Sequence, residues 1–133
     1  MDQLRDIMIK KVITIAVDKT AQDAAKLMAE NSISSLVVVS NANPVGIVTE
    51  RDLVRKVCAK DVASTMVPLR DVMSTPIIWA EPDVPIEIAV QRMFNNKIRR
   101  LPILENGSLV GIVTVSDLAK HLRTKSLIEK TFG

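Results

Sequence analysis

Residues 4–57 and 69–122 are one sequence written twice without a gap. A shift of 65 residues carries Leu4-Arg5-Asp6-Ile7-Met8 onto Leu69-Arg70-Asp71-Val72-Met73, and Gly46-Ile47-Val48-Thr49 onto Gly111-Ile112-Val113-Thr114. The same shift pairs Ala24 with Ala89, Met28 with Met93, Ile33 with Ile98 and Leu36 with Leu101. The two copies are therefore expected to share one order of elements. A copy of roughly 55 residues is marginal alone, so the two are expected to pack together about a pseudo-twofold axis.

Each copy reads β-α-β-β-α, which makes the fold class α+β. Val12–Val17 is a β-branched run of strand length; its counterpart, the PIIWA run from Pro76 to Ala80, is shorter and starts with proline, which suits a strand start. A helix follows. Thr20 with Asp23 forms a capping-box signature, and Ala21, Ala24, Ala25 and Met28 share a helical face. In the second copy Pro85 suits a first helical turn, and Ile86, Ala89, Val90, Met93 and Phe94 form an equivalent core stripe. Two short apolar runs then read as an antiparallel hairpin, with Asn106-Gly107 a strong turn signal in the second copy. Because a helix links the first strand to the second, that pair should be parallel, giving each copy a small mixed sheet. A last helix follows each hairpin, from Asp52 to about Ala59 and from Asp117 to about Arg123. The boundaries expected are 1–60 for the first repeat, 61–68 for a linker and 69–123 for the second repeat. Residues 124–133 form a C-terminal tail, read as a short helix or a frayed end.

The core must be aliphatic, since the 133 residues include no Tyr, one Trp and two Phe, yet 47% are hydrophobic. The single Cys58 excludes an internal disulfide and points to a reducing compartment, the cytoplasm by default. No apolar run reaches the ~18 residues of a membrane span, and the first residues lack a secretory pattern. A net charge of +3, with acids and bases interspersed, favours anionic partners only weakly.

The phrases GIVTERDL and GIVTVSDL each hold a threonine and an aspartate three apart, at Thr49/Asp52 and Thr114/Asp117. The first reading of that spacing is a helix cap. The second is a ligand site. A capping box prefers the longer Glu, yet both copies carry Asp, and Gly46 and Gly111 stand inside strands where another group often approaches the backbone. A helix N-terminus favours phosphate, and a carboxylate one turn in suits the cis-diol of a ribose. Phosphate with ribose means a nucleotide.

With the upstream segments NSISSLVVV and NKIRRLPIL, the entries AVDKT and AEPDV and the gapless duplication, the chain resembles a stand-alone tandem pair of cystathionine β-synthase (CBS) domains, a Bateman module. The resemblance spans nearly the whole chain. It implies two symmetry-related clefts between paired repeats, assembly as a homodimer, and AMP, ADP or ATP as regulatory ligand, with S-adenosylmethionine an alternative. Carried over by position, Asp52 and Asp117 hold ribose hydroxyls, while Thr49 and Thr114 bond ribose or phosphate. Thr14 faces the cleft, and its counterpart Trp79 either fills the adenine pocket or stacks on the base. Arg99 and Arg100 contact phosphate where the first copy has Ser34 and Ser35, and Arg51 is a further phosphate candidate. Gly46 and Gly111 complete the implied site.

Nothing in the sequence points to catalysis. His121 has no nucleophile placed beside it, Cys58 reads as a small apolar filler, and the acids show no metal-ligand spacing. The duplicated methionines Met8, Met28, Met73 and Met93 read as packing. No cofactor, metal or catalytic residue is therefore expected. The implied function is an adenine-nucleotide sensor read by a separate effector protein of unknown identity. A ligand-free dimeric scaffold is the alternative; nucleic acid is disfavoured for want of exposed aromatic platforms, and a membrane for want of a span.

Overall fold

Two hydrophobic cores, rather than one, organise the chain in a computed structural model that describes residues 2–132. One unit is Val12–Ile77; the other joins the N-terminal segment through Lys11 to the chain from Ile78 onward.

In the first unit, β1 (Thr14–Ala16) leads into α1 (Ala21–Asn31), followed by β2 (Ser35–Ser40), β3 (Asn43–Thr49) and α2 (Glu50–Lys56). The sheet order is β1-β2-β3, with β1 parallel to β2 and β3 antiparallel to it. The cap on α1 is complete, Thr20 Oγ1 accepting from Asp23 N at 3.2 Å and Asp23 Oδ2 accepting from Thr20 N at 3.0 Å. Ala21, Ala24 and Met28 bury one row of α1 against Leu36, Val38 and Val48, whereas Ala25 faces solvent. The hairpin turns through Asn41 and Ala42, both at positive φ.

The second unit contains α3 (Ile86–Asn96), β4 (Arg100–Glu105), β5 (Ser108–Thr114) and α4 (Val115–Phe132). Its hairpin turns through Asn106 and Gly107, again at positive φ. The PIIWA run expected to form a strand does not. Ala80 alone bridges to Ile103, donating to Pro102 O at 3.1 Å and accepting from Leu104 N at 2.9 Å. The cause is two prolines: Pro102 and Pro82 stand where the first copy has Val37 and Val17, and neither can donate. The Val17 N to Val39 O bond of the first unit, 2.9 Å, therefore has no equivalent.

The expected core stripe on α3 is also narrower than its sequence pattern. Ile86, Ala89 and Met93 are buried, but Val90 is 42% and Phe94 81% exposed. On the three-stranded sheet α1 buries the equivalent single row, Ala21, Ala24 and Met28, so the wider stripe is core in neither unit. The last helix is longer than expected, because no Gly or Pro interrupts residues 115–132. Cys58, read as a filler, is exposed: α2 ends at Lys56 and Val57 takes the buried position.

The repeated LRD segments cross over. Leu4 is fully buried in the core of the second unit, and Leu69 in that of the first. Leu4 N donates to Val84 O at 3.0 Å, and Ile9 and Ile112 exchange bonds of 2.9 and 3.0 Å. In the first unit Leu69 N donates to Lys19 O at 3.1 Å, and Ile47 and Ser74 exchange bonds of 3.2 and 2.8 Å. Each unit is thus completed by the LRD segment that precedes the other β-α-β-β-α run in sequence.

Candidate functional site

In both units a strand passes directly into a helix, and the junction carries the repeated threonine and aspartate. Thr49 ends β3 and caps α2; its Oγ1 accepts from Asp52 N at 3.2 Å, while Asp52 Oδ2 accepts from Thr49 N at 2.9 Å and Thr49 Oγ1 at 3.0 Å. Thr114 and Asp117 repeat the set at 3.2, 2.9 and 3.0 Å. Aspartate, though shorter than glutamate, closes the box fully, as it does at Thr20 and Asp23. The cap is therefore real in every T-x-x-D of the chain.

The closed box limits what remains for a ligand. Each threonine hydroxyl already donates its only hydrogen to the aspartate, so it can accept a bond from a ribose hydroxyl but cannot donate to phosphate. Glu50 N donates to Ser34 O at 3.0 Å and Val115 N to Arg99 O at 2.9 Å. Of the donors a helix start leaves open, only Arg51 N and Ser116 N remain without a partner among the described residues. The anion site expected at the helix start shrinks to one N–H per unit.

The two strand glycines have an explanation within the chain itself. A Cβ on Gly46 would lie 2.8 Å from Ser74 O and 3.1 Å from Met73 Sδ; one on Gly111 would lie 2.7 Å from Met8 Sδ and 3.1 Å from Ile9 O. The close approach inferred from their position in a strand is made by the docked segment that follows each LRD turn. Met8 and Met73 lie over these glycines, while Met28 and Met93 are in the cores, so all four duplicated methionines serve packing.

Strand register gathers the other residues at one end of each sheet. In the first unit Thr49 lies opposite Ser35, and Thr14 starts β1 beside Val37, two residues along β2. Thr14, Ser34, Ser35, Thr49, Arg51 and Asp52 therefore share that end. In the second unit Arg100 lies opposite Thr114 and Ala80 beside Ile103, which brings Trp79, Arg99, Arg100, Thr114 and Asp117 to the corresponding end. Arg51 and Arg99 are exposed, and Trp79, 40% exposed, belongs to neither core. Its carbonyl accepts from Arg92 Nη1 at 3.0 Å.

The two carboxylates differ. Asp52 Oδ1 pairs with Lys56 Nζ at 3.4 Å, and that ammonium also donates to Val72 O at 2.9 Å. Asp117 Oδ1 has no partner among the described residues. The residue equivalent to Lys56 is His121, whose Nε2 lies 3.0 Å from Asp2 Oδ2 instead. Sequence reasoning passed over Lys56, although its i, i+4 spacing from Asp52 is the ordinary signal for such a pair. Among the described residues no three metal-ligating side chains cluster, and no helix is long and apolar enough to cross a membrane.

Both units are small α+β folds that carry the same strand–helix junction. The CBS domain family model matches residues 4–59 and 69–124, and the chain belongs to that family. It is 43% identical over 115 residues to protein MK0525 of Methanopyrus kandleri, covering 85% of this chain and 59% of that one. It is 35% identical over 119 residues to the CBS domain-containing protein YhcV of Bacillus subtilis, covering 90% and 84%. The chain thus spans somewhat over half the length of the first relative and most of the second. In fold it is similar to the CBS domain pair of protein MJ0100, solved in complex with 5′-methylthioadenosine and S-adenosyl-L-methionine. That match has a TM-score of 0.85 at 24% identity over 94% of this chain and 98% of that one.

Proposed function

We propose that this CBS domain pair is a regulatory module for adenosine-containing nucleotides of the AMP, ADP and ATP class. The reading is carried by one observation: the unpartnered Oδ1 of Asp117 stands at the same sheet end as Trp79, Arg99 and Arg100. A carboxylate oxygen accepts from ribose hydroxyls, guanidinium groups take phosphate in forked hydrogen bonds, and an indole stacks on a base. Thr49 and Asp52, with Thr14 and Arg51, form the corresponding set in the first unit, and Gly46 and Gly111 let the docked segments complete each junction. The module signals to a separate effector through a homodimer, ligand shifting the balance of its conformations.

The adenosine compounds bound to MJ0100 guide the choice of ligands to test. Calorimetric titration with AMP, ADP, ATP and S-adenosylmethionine is expected to show at least one binding below about 1 mM. Asp52→Ala combined with Asp117→Ala should weaken it at least about tenfold. No binding by any of the four, or unchanged binding by the double variant, defeats the reading. A ligand-free interaction scaffold would then stand, favoured by the exposure of Phe94 on α3.

A further inference from the structure

Because the two repeats match without a gap, a difference at equivalent positions is informative, and position 56 against 121 is such a difference. Resting on the nucleotide reading above, we propose that Lys56 is a specificity-determining residue that closes the first of the two sites, so that each chain takes one nucleotide, at Asp117.

The closed capping box commits Oδ2 of both aspartates to threonine, so a ribose must be held chiefly through Oδ1. In the first unit that oxygen faces an ammonium at 3.4 Å. A partly exposed Lys–Asp pair alone would yield easily to a ligand. Lys56 is not held by Asp52 alone, however: Nζ donates to Val72 O at 2.9 Å, a carbonyl of the segment docked on the same unit. A ribose that displaced the lysine would have to strip it of its carboxylate and leave the carbonyl bond to hold it nearby. Asp52 is already well covered, its side chain 15% exposed against 39% for Lys56.

In the second unit the equivalent side chain has been drawn elsewhere. His121 is beside Asp2, which Lys125 Nζ also approaches at 3.9 Å, and Asp117 Oδ1 stays open. The cationic residues follow the same division. Arg99 and Arg100 stand at the start of β4, where the first unit has Ser34 and Ser35, and the arginine at the first junction is Arg51. The unit with the open carboxylate is therefore also the one equipped for phosphate.

The test is the stoichiometry of AMP binding to the full chain by calorimetry. Wild type is expected to bind about one AMP per chain, and Asp117→Ala to weaken it at least about tenfold. Lys56→Met should raise the count to about two, and Lys56→His, which copies the other repeat, should act in the same direction if the methionine variant folds poorly. The double variant Lys56→Met with Asp117→Ala should keep one site. Two equivalent sites in wild type, or one site in both Lys56 variants, overturns the inference while leaving nucleotide binding intact. Absence of binding to wild type and to both Lys56 variants, with AMP, ADP, ATP and S-adenosylmethionine, defeats the nucleotide reading and this inference together.

Discussion

Alanine at Gly46 should destabilise the protein in the absence of any ligand. Its Cβ would meet Ser74 O at 2.8 Å, with Met73 Sδ and Thr75 Cγ2 both at 3.1 Å. Ser74 O cannot simply withdraw, because it accepts from Ile47 N and its own N–H donates to Ile47 O. Reaching an ordinary contact of ~3.4 Å or more means moving backbone by about half an ångström against a paired set of hydrogen bonds. Such overpacking costs about 1–3 kcal/mol, offset by the ~0.4–1 kcal/mol that alanine contributes by restricting the unfolded chain. The net expectation is a loss of about 1–2 kcal/mol, or roughly 4–8 °C in Tm for a chain of this size. Gly111→Ala should cost less, since the closest atoms there belong to the flexible Met8 side chain. Urea unfolding of ligand-free wild type and both variants, with the slope m compared, measures this. A Gly46→Ala variant as stable as wild type, or Gly111→Ala the more damaged of the two, would refute the account of these glycines.

The crossover of the LRD segments predicts that Leu4→Ala, at a cost of about 2–5 kcal/mol, speeds amide exchange first in β4 and β5, whereas Leu69→Ala does so in β2 and β3. Ala42→Gly should stabilise the first hairpin by about 0.5–1 kcal/mol in urea unfolding, because Ala42 sits at φ 67° where glycine is unstrained. The Asp23 carboxyl should titrate below its usual range in an NMR pH series, chiefly through the Thr20 N–H bond and then the Thr20 hydroxyl. A depressed folded value means that its stabilisation is complete above about pH 4 and is lost as pH falls through the folded value. Thr20→Val removes the hydroxyl but keeps the backbone N–H, so it should return that titration only part of the way toward the ordinary value.

The duplication made the order of elements legible, and with it the parallel and antiparallel pairings, because local period and turn chemistry decide both. What it concealed has specific causes. Pro82 and Pro102 act together across strands that are distant in sequence, so neither alone announces the missing ladder. An LRD segment that reads the same in both copies carries no mark of which unit will bury it. The T-x-x-D spacing was legible as a cap. Only coordinates show, however, that the cap consumes the threonine hydroxyl and one carboxylate oxygen, leaving Oδ1 as the acceptor that separates the two junctions. Phe94 misled for a simpler reason: periodicity places it beside Met93 on the helix, but burial ends one row short of it.

The most direct test is a crystal structure grown with AMP, read at one distance, from the ribose hydroxyl oxygens to Asp117 Oδ1. The nucleotide reading predicts a hydrogen bond of about 2.6–3.0 Å, with the Thr114 and Asp117 box intact. A sugar bound elsewhere, or that carboxylate oxygen still facing solvent while AMP is bound, would contradict it.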